Sequence, residues 1–346
     1  MTLTRRRCLS LAVGASLGLA SWRQALAAAA TRPAPLPPAR GSWRLGLISD
    51  LNASYGATHY VAEVARGVEL LQRLRPDLVL CAGDMVAGQK LSLNTQQLDA
   101  MWAAFARQVL DPLRQSGLPF APVIGNHDGS ATGRQGRQPF ERERDRARRF
   151  WQSRLNKLGL NLIEASDFPF HYSFQQGEAL VAVIDASAAA LAPTTLPWLD
   201  RQLQRPEARK ARLRLVVGHL PLAAVAQGRD SPGEVLADPS GLRRLLERHR
   251  VTLYISGHHH AYFPGRSGQL DVLSLGAMGS GPRRLLLDSR TPHQTLTLLD
   301  RFGEELVDTT IDLTRLQPID RTRLPLRLQP RQGVALDLRS PRWRLN

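Results

Sequence analysis

The chain has 346 residues, of which 43% are hydrophobic and 22% are charged, enough for one large globular domain or two small ones. This composition excludes a largely disordered chain. The formal net charge of +16 favours anionic partners such as phosphate esters, anionic lipid or nucleic acid. The sequence has no basic motif interleaved with aromatic residues, so no specific nucleic-acid partner is predicted.

Residues 1–27 have the pattern of a signal peptide. Thr4 and the arginines 5–7 precede an apolar stretch from 9 to about 20, and the Ala-Leu-Ala at 25–27 offers a cleavage site. The apolar stretch is too short to cross a bilayer, so no transmembrane span is predicted. The Thr-Arg-Arg opening resembles a twin-arginine signal, although cysteine replaces the more usual phenylalanine. We therefore expect export to the periplasm, with an ordinary secretory signal as the alternative.

A proline-rich linker is predicted at 28–42, a folded domain at 43–313, and a C-terminal arm or mobile tail at 314–346. Apolar spacing predicts helices at 61–74, 95–114, 140–158, 196–203 and 241–249. The charged helix at 140–158 is expected to be a solvated face. Strands are predicted at 171–175 and 180–184, and late strands at 271–275, 285–287, 295–299 and 306–311. Alternating strands and helices, followed by a strand-rich stretch, favour an α/β sandwich over a simple doubly wound sheet.

Five short apolar runs each end, within a residue or two, in a side chain of metal-ligand type. The run at 44–49 leads into Asp50 and Asn52, and the run at 78–83 leads into Asp84. The run at 120–125 leads into Asn126, His127 and Asp128. The run at 213–218 leads into His219, and the run at 253–257 leads into His258, His259 and His260. Glycine stands directly before the ligand in four of the five. Short apolar runs bounded by glycine are typical of buried strands, and the carboxyl ends of strands are where α/β sheets build their sites. Together the five runs predict one metal centre.

This ordered set resembles the calcineurin-like metallophosphoesterase superfamily, whose pattern is D-x-H, GD, GNH-D/E, GH and GH-x-H. The resemblance covers roughly residues 43–300. It implies an α/β/β/α fold, a β-sandwich of two sheets flanked by helices, with two metal ions at the strand ends. It also implies hydrolysis of phosphomonoesters or phosphodiesters by attack of a metal-bound hydroxide. Mixed imidazole and oxygen ligands suit Mn, Fe or Zn, and the sequence does not choose among them.

The resemblance also assigns ligands residue by residue. The two ions would share one bridging carboxylate, Asp84. The first ion would take Asp50 and His260, and the second would take Asn126, His219 and His258. His258 and His260 are two positions apart, a spacing that points both side chains the same way at a strand end. His259 would point away and is expected not to be a ligand.

His127 and Asp128 are the predicted catalytic residues. The resemblance implies that His127 contacts the substrate phosphate and protonates the leaving alkoxide. Asp128 would accept a hydrogen bond from that imidazole and raise its pKa. Arg134 and Arg137, in the loop that follows, are candidates for contact with the phosphate.

Asn52 stands where the family usually has histidine. An asparagine carbonyl ligates a hard metal more weakly than imidazole, so the affinity of the first site is open. His59 could replace it only if the chain folded back, and we expect that it does not. Tyr55 in the same segment either lines the site or packs in its loop. The alternative to an enzyme is a phosphatase-like binding or scaffold module with weakened or lost turnover; a nuclease or nucleic-acid-binding protein is third.

Overall fold

The structure is a computed structural model, and it describes residues 38–133, 138–279 and 281–344. Two mixed sheets form a sandwich flanked by helices, the predicted fold class. The strands are β1 (Trp43–Ile48), β2 (Leu78–Cys81), β3 (Phe120–Pro122), β4 (Asn161–Asp167), β5 (His171–Gln176), β6 (Ala179–Val183), β7 (Leu213–Val217), β8 (Leu253–Ser256), β9 (Phe263–Ser267), β10 (Leu270–Ser274), β11 (Thr295–Phe302), β12 (Glu305–Asp312), β13 (Gln317–Pro318), β14 (Arg327–Leu328), β15 (Leu336–Leu338) and β16 (Arg342–Arg344).

The first sheet has seven strands in the order β13-β12-β11-β1-β2-β3, with β16 also paired to β12. The second has nine, in the order β14-β15-β9-β10-β8-β7-β6-β5-β4. Strands β1 to β3 run parallel in one sheet, and β6, β7, β8 and β10 run parallel in the other. These strands are buried almost throughout, as expected for parallel strands covered on both faces. All five predicted runs before the ligands are strands, so their ligands lie at the carboxyl edges.

Helices cover the outer faces of the sheets. They are α1 (Ala62–Leu74), α2 (Thr95–Phe105), α3 (Asp111–Gln115), α4 (Asn126–Gly129), α5 (Glu141–Gln152), α6 (Thr195–Gln204), α7 (Pro206–Lys210) and α8 (Pro239–Arg248). The helix predicted at 95–114 is interrupted by a π-helical turn at Ala106–Leu110. Pro112 follows that turn and has no N–H to continue a regular ladder. The helix predicted at 140–158 ends at Gln152, and a 3₁₀ turn follows at Leu155–Lys157.

One prediction about local structure is wrong. Residues 285–287 are not a strand: Leu285 makes one isolated bridge to Ala226, and Leu287 is 84% exposed with φ 64°. The segment pairs with the loop at 225–227 through two backbone hydrogen bonds rather than with a sheet. Helix α5 has the predicted solvated face, although the side chain of Glu143 is buried and accepts two backbone hydrogen bonds.

The C-terminal residues from 314 onward add strands to both sheets. Strands β13 and β16 extend the first sheet through β12, and β14 and β15 extend the second through β9. The Trp343 side chain is buried, so the segment packs on the sandwich. The sequence pattern is too short and too rich in arginine to predict these strands.

The predicted signal peptide and most of the predicted linker lie outside the described residues. From Pro38 the chain is packed: the guanidinium of Arg44 donates to the carbonyl oxygens of Pro38 and Ala39, and forms a buried ion pair with Asp300. None of the described helices is long and apolar enough to cross a membrane.

Candidate metal centre

The predicted ligands converge at the edge where β1 and β2 end in one sheet and β7 and β8 end in the other. Two groups of three side chains, each with ligand atoms within 4.8 Å of one another, share the carboxylate of Asp84. The groups are Asp50, Asp84 and His260, and Asp84, His219 and His258. This is the same division of ligands that the family resemblance implies for two ions.

Asn126 completes the second group. Its Oδ1 lies 2.9 Å from His219 Nε2 and 2.9 Å from His258 Nδ1. Its Nδ2 donates to Gln89 Oε1 at 2.7 Å, which turns the amide oxygen toward the two imidazoles. One amide oxygen, two ring nitrogens and a carboxylate therefore face a common point.

The shared carboxylate fits a bound cation. Asp84 Oδ2 is buried, accepts no hydrogen bond from any described residue, and lies 3.3 Å from His219 Nε2. A buried polar atom without a partner is uncommon and is explained if an ion completes its coordination. Burial would raise the pKa of Asp84, but His219 and His127 hold it far below its usual range. Burial would lower the pKa of His219, but the same pairing raises it to about 9.

Four of the predicted ligands have left-handed backbone conformations. The φ angles are 53° at Asp50, 56° at Asp84, 66° at His258 and 55° at His260. Such angles are uncommon outside glycine and cost on the order of 1 kcal/mol each. Strained backbone of this kind concentrates at functional sites, and here it turns each side chain inward immediately after its strand.

The glycines before the ligands are explained by close approach between strand ends. A Cβ on Gly125 would collide with the Asp84 carboxylate, and one on Gly257 would collide with Ser49 and Asp50. A side chain at either position would therefore displace a predicted ligand of the neighbouring strand.

Asn52 is buried beside the centre, and its backbone N–H donates to the carbonyl oxygen of Asp84 at 3.2 Å. The position of Asn52 is thus compatible with its predicted role as a ligand of the first ion. His59, the considered replacement, is exposed and belongs to neither group of three.

His127 lies beside the shared carboxylate, and its backbone N–H donates to Asp84 Oδ1 at 2.9 Å. Its Nδ1 lies 3.0 Å from the carbonyl oxygen of Gly88, an acceptor that places the proton on Nδ1. Nε2 is then the nitrogen available to a substrate. The ring of Tyr55, 57% exposed, lies 5.4 Å from this imidazole.

The predicted hydrogen bond from His127 to Asp128 is replaced by other partners. The two carboxylate oxygens of Asp128 accept the backbone N–H groups of Asp84, Met85, Val86 and Gly125. Asp128 thus fixes the turn that carries the shared carboxylate and ties it to Gly125, and the Gly88 carbonyl orients the histidine. Sequence adjacency suggested the wrong pairing because the short α4 helix turns the two side chains apart.

His259 contacts backbone through both ring nitrogens. Nδ1 accepts from Val225 N–H at 3.1 Å, and Nε2 lies 2.8 Å from the carbonyl oxygen of Glu234. Both nitrogens are therefore committed. The group formed by Glu234, His258 and His259 has ligand-like spacing, but His259 has no lone pair to give a metal.

A cavity of about 400 Å³ opens beside the second group. Its wall includes Asn126, His258, Gln89, Arg229 and Glu234. Arg134 and Arg137, the predicted phosphate contacts, lie outside the described residues. Arg229 is the arginine that the structure places on the cavity wall.

The residues that support the ligands are not predicted by the sequence motifs. Gln89 holds Asn126, and Glu143 accepts the backbone N–H groups of Gln89 at 2.8 Å and Lys90 at 3.2 Å. Glu234 contacts His258. None of these residues belongs to a spaced motif. The turn-rich sequence around 230–234 is the one feature that indicates a loop carrying Glu234.

The fold and the site define a two-sheet α/β protein with a candidate dinuclear metal centre. The sequence model of the family described as calcineurin-like phosphoesterase matches residues 44–262, and the chain belongs to that family. It is therefore a metal-dependent hydrolase of phosphoric esters.

A dimetal phosphatase from Danio rerio supports the fold: it is 15% identical, with a TM-score of 0.55 over 86% of this chain and 100% of that one. GAP50, the anchor in the inner membrane complex of Plasmodium, is 14% identical, with a TM-score of 0.48 over 86% of this chain and 89% of its own. No curated protein sequence matches the chain.

Proposed function

We propose that the chain hydrolyses phosphomonoesters or phosphodiesters at two metal ions that share Asp84. Asp50 and His260 would hold the first ion, with Asn52 as a weaker ligand. Asn126, His219 and His258 would hold the second. The observation that carries this proposal is the buried Asp84 Oδ2, which lies between two groups of ligand atoms without a hydrogen bond from a described residue.

A metal pair here would neutralise the phosphoryl oxygens and lower the pKa of bound water, the two requirements of phosphoester hydrolysis at neutral pH. The protein's own contribution is positioning. Asp84 Oδ1 and the carbonyl oxygen of Gly88 fix His127. With its ring protonated on both nitrogens, His127 would give the Nε2 proton to the leaving alkoxide and keep the Nδ1 proton on the Gly88 carbonyl oxygen. Asp128 keeps the Asp84 turn in place through its backbone hydrogen bonds.

The test is metal analysis followed by hydrolysis of p-nitrophenyl phosphate and bis(p-nitrophenyl) phosphate, with and without Mn²⁺. We expect about two metal equivalents and metal-dependent turnover of at least one ester. Asp84→Ala should lose both properties, whereas Asp111→Asn, at an exposed position on α3, should keep them. A folded, metal-loaded protein that hydrolyses neither ester would contradict the proposal and favour a binding module.

We also propose that residues 1–27 direct export through the twin-arginine route. The support is the order of basic, apolar and small residues in the sequence. The conservative double variant Arg5→Lys and Arg6→Lys should trap the precursor in the cytoplasm, because a twin-arginine route depends on the arginines. An ordinary secretory signal keeps its positive charge in that variant, so normal export would assign the other route.

A further inference from the structure

Glu234 lies in the loop between β7 and α8, outside every motif of the family pattern. Its Oε2 is 2.9 Å from His258 Nε2 and 2.7 Å from Arg229 Nη1. The ion pair with the Arg229 guanidinium favours the carboxylate form of this side chain.

The other nitrogen of His258 faces the metal centre. His258 Nδ1 lies 2.9 Å from Asn126 Oδ1, on the side where the second group of ligands meets. A neutral imidazole carries one proton, and it resides on the nitrogen that has the stronger acceptor. A carboxylate is a stronger acceptor than an amide oxygen, so the proton belongs on Nε2 and the lone pair on Nδ1.

The loop that carries Glu234 is fastened to the ligand loop by the next histidine. His259 Nε2 donates to the backbone carbonyl oxygen of Glu234, and His259 Nδ1 accepts the backbone N–H of Val225. His259, next to the predicted ligand His258, thus holds Glu234, the residue that contacts His258. This double attachment fixes where the Glu234 carboxylate can reach.

We propose that Glu234 is a positioning residue for the second metal: its carboxylate fixes the tautomer and ring orientation of His258. Arg229 balances the charge of Glu234 from the cavity wall. The inference rests on the proposed function, because it assumes that His258 ligates an ion. Carboxylate partners of metal-binding histidines raise ligand basicity and hold the ring for coordination.

The experiment titrates metal-depleted protein with Mn²⁺ by calorimetry and compares Glu234→Ala and Glu234→Gln with wild type. Glu234→Ala should weaken one of the two binding steps by about 10–100-fold and leave the other unchanged. Glu234→Gln should recover most of that loss, because the amide oxygen still accepts from Nε2. Glu69→Ala, an exposed position on α1, should match wild type.

Two outcomes would overturn the proposal. Unchanged binding in a Glu234→Ala protein that melts like wild type would show that the contact does not position His258. A third metal equivalent in wild type that Glu234→Ala loses would show that Glu234 is itself a ligand. Failure of the proposed function is distinct, because wild type itself would then bind fewer than two ions or hydrolyse neither ester.

Discussion

Oδ1 of Asp84 accepts the backbone N–H of His127 at 2.9 Å, while Oδ2 of the same carboxylate lies buried beside His219 without a hydrogen bond from a described residue. Oδ1 therefore fixes the position of His127, the predicted acid, and Oδ2 is available to a cation. In the proposed mechanism, metal binding and placement of the leaving-group acid are therefore coupled through a single side chain.

Asp84→Asn should separate the two roles. Asparagine tolerates the left-handed backbone at this position, and its amide oxygen can still accept the His127 N–H. The bridging negative charge is lost, so we expect kcat/KM to fall by more than about 100-fold, beyond the usual effect of a supporting residue. Metal content measured alongside should drop. Full metal content together with wild-type activity would show that Asp84 is not the bridge.

Metal uptake should release protons at neutral pH. The pKa of His219 is raised to about 9, so its ring is protonated at neutral pH and must lose that proton to ligate. Asp50 similarly raises the pKa of His260 against the effect of burial. Burial lowers the pKa of His258 to about 4, so that ring contributes none. Calorimetry in two buffers of different ionisation enthalpy measures the release; a binding enthalpy independent of buffer would refute it.

Without metal, stability should fall as pH rises into the alkaline range. The pKa of His219 is raised from 6.5 to about 9 in the folded state. The pairing with Asp84 is therefore fully stabilising below pH 6.5 and is lost as pH rises through about 9. Thermal unfolding of chelator-treated protein across that range should show a declining melting temperature. Asp84→Asn serves as the control, because its melting temperature should decline less.

Gln89 should affect binding of the second metal only through its hydrogen bond with Asn126. Gln89→Ala removes the acceptor that turns the Asn126 amide, so we expect weaker binding of the second metal, by about 10-fold. Gln89→Glu keeps an acceptor and should restore binding. Gln115→Ala, at an exposed position on α3, is the matched control. Equal losses in the alanine and glutamate variants would assign Gln89 a different role.

The strands and the ligand order could be predicted from the sequence because each depends on neighbouring residues. A buried parallel strand is a short apolar run, and the ligand follows it directly, as at Leu78–Cys81 and Asp84. The signal is local, repeated five times and ordered. It therefore predicts which side chains meet, even though 210 positions separate Asp50 from His260.

The supporting contacts could not be predicted in the same way. Glu234 and Gln89 reach their partners from loops of irregular conformation, and any acidic or amide residue in those loops would have looked equivalent. The Asp128 prediction failed for a related reason. Its oxygens are taken by four backbone N–H groups, three of them in the Asp84 turn, and sequence adjacency to His127 carries no information about that turn.

Tyr55 should select for aromatic leaving groups. Its exposed ring lies 5.4 Å from His127, the residue proposed to protonate the departing alkoxide, so an aryl group leaving there would meet the ring. Tyr55→Ala should raise KM for p-nitrophenyl phosphate by about 2–10-fold, the value of one aromatic contact, and leave glycerol phosphate unaffected. Tyr55→Phe keeps the ring and should behave as wild type. Equal changes for both esters would mean that the ring only supports the loop around His127.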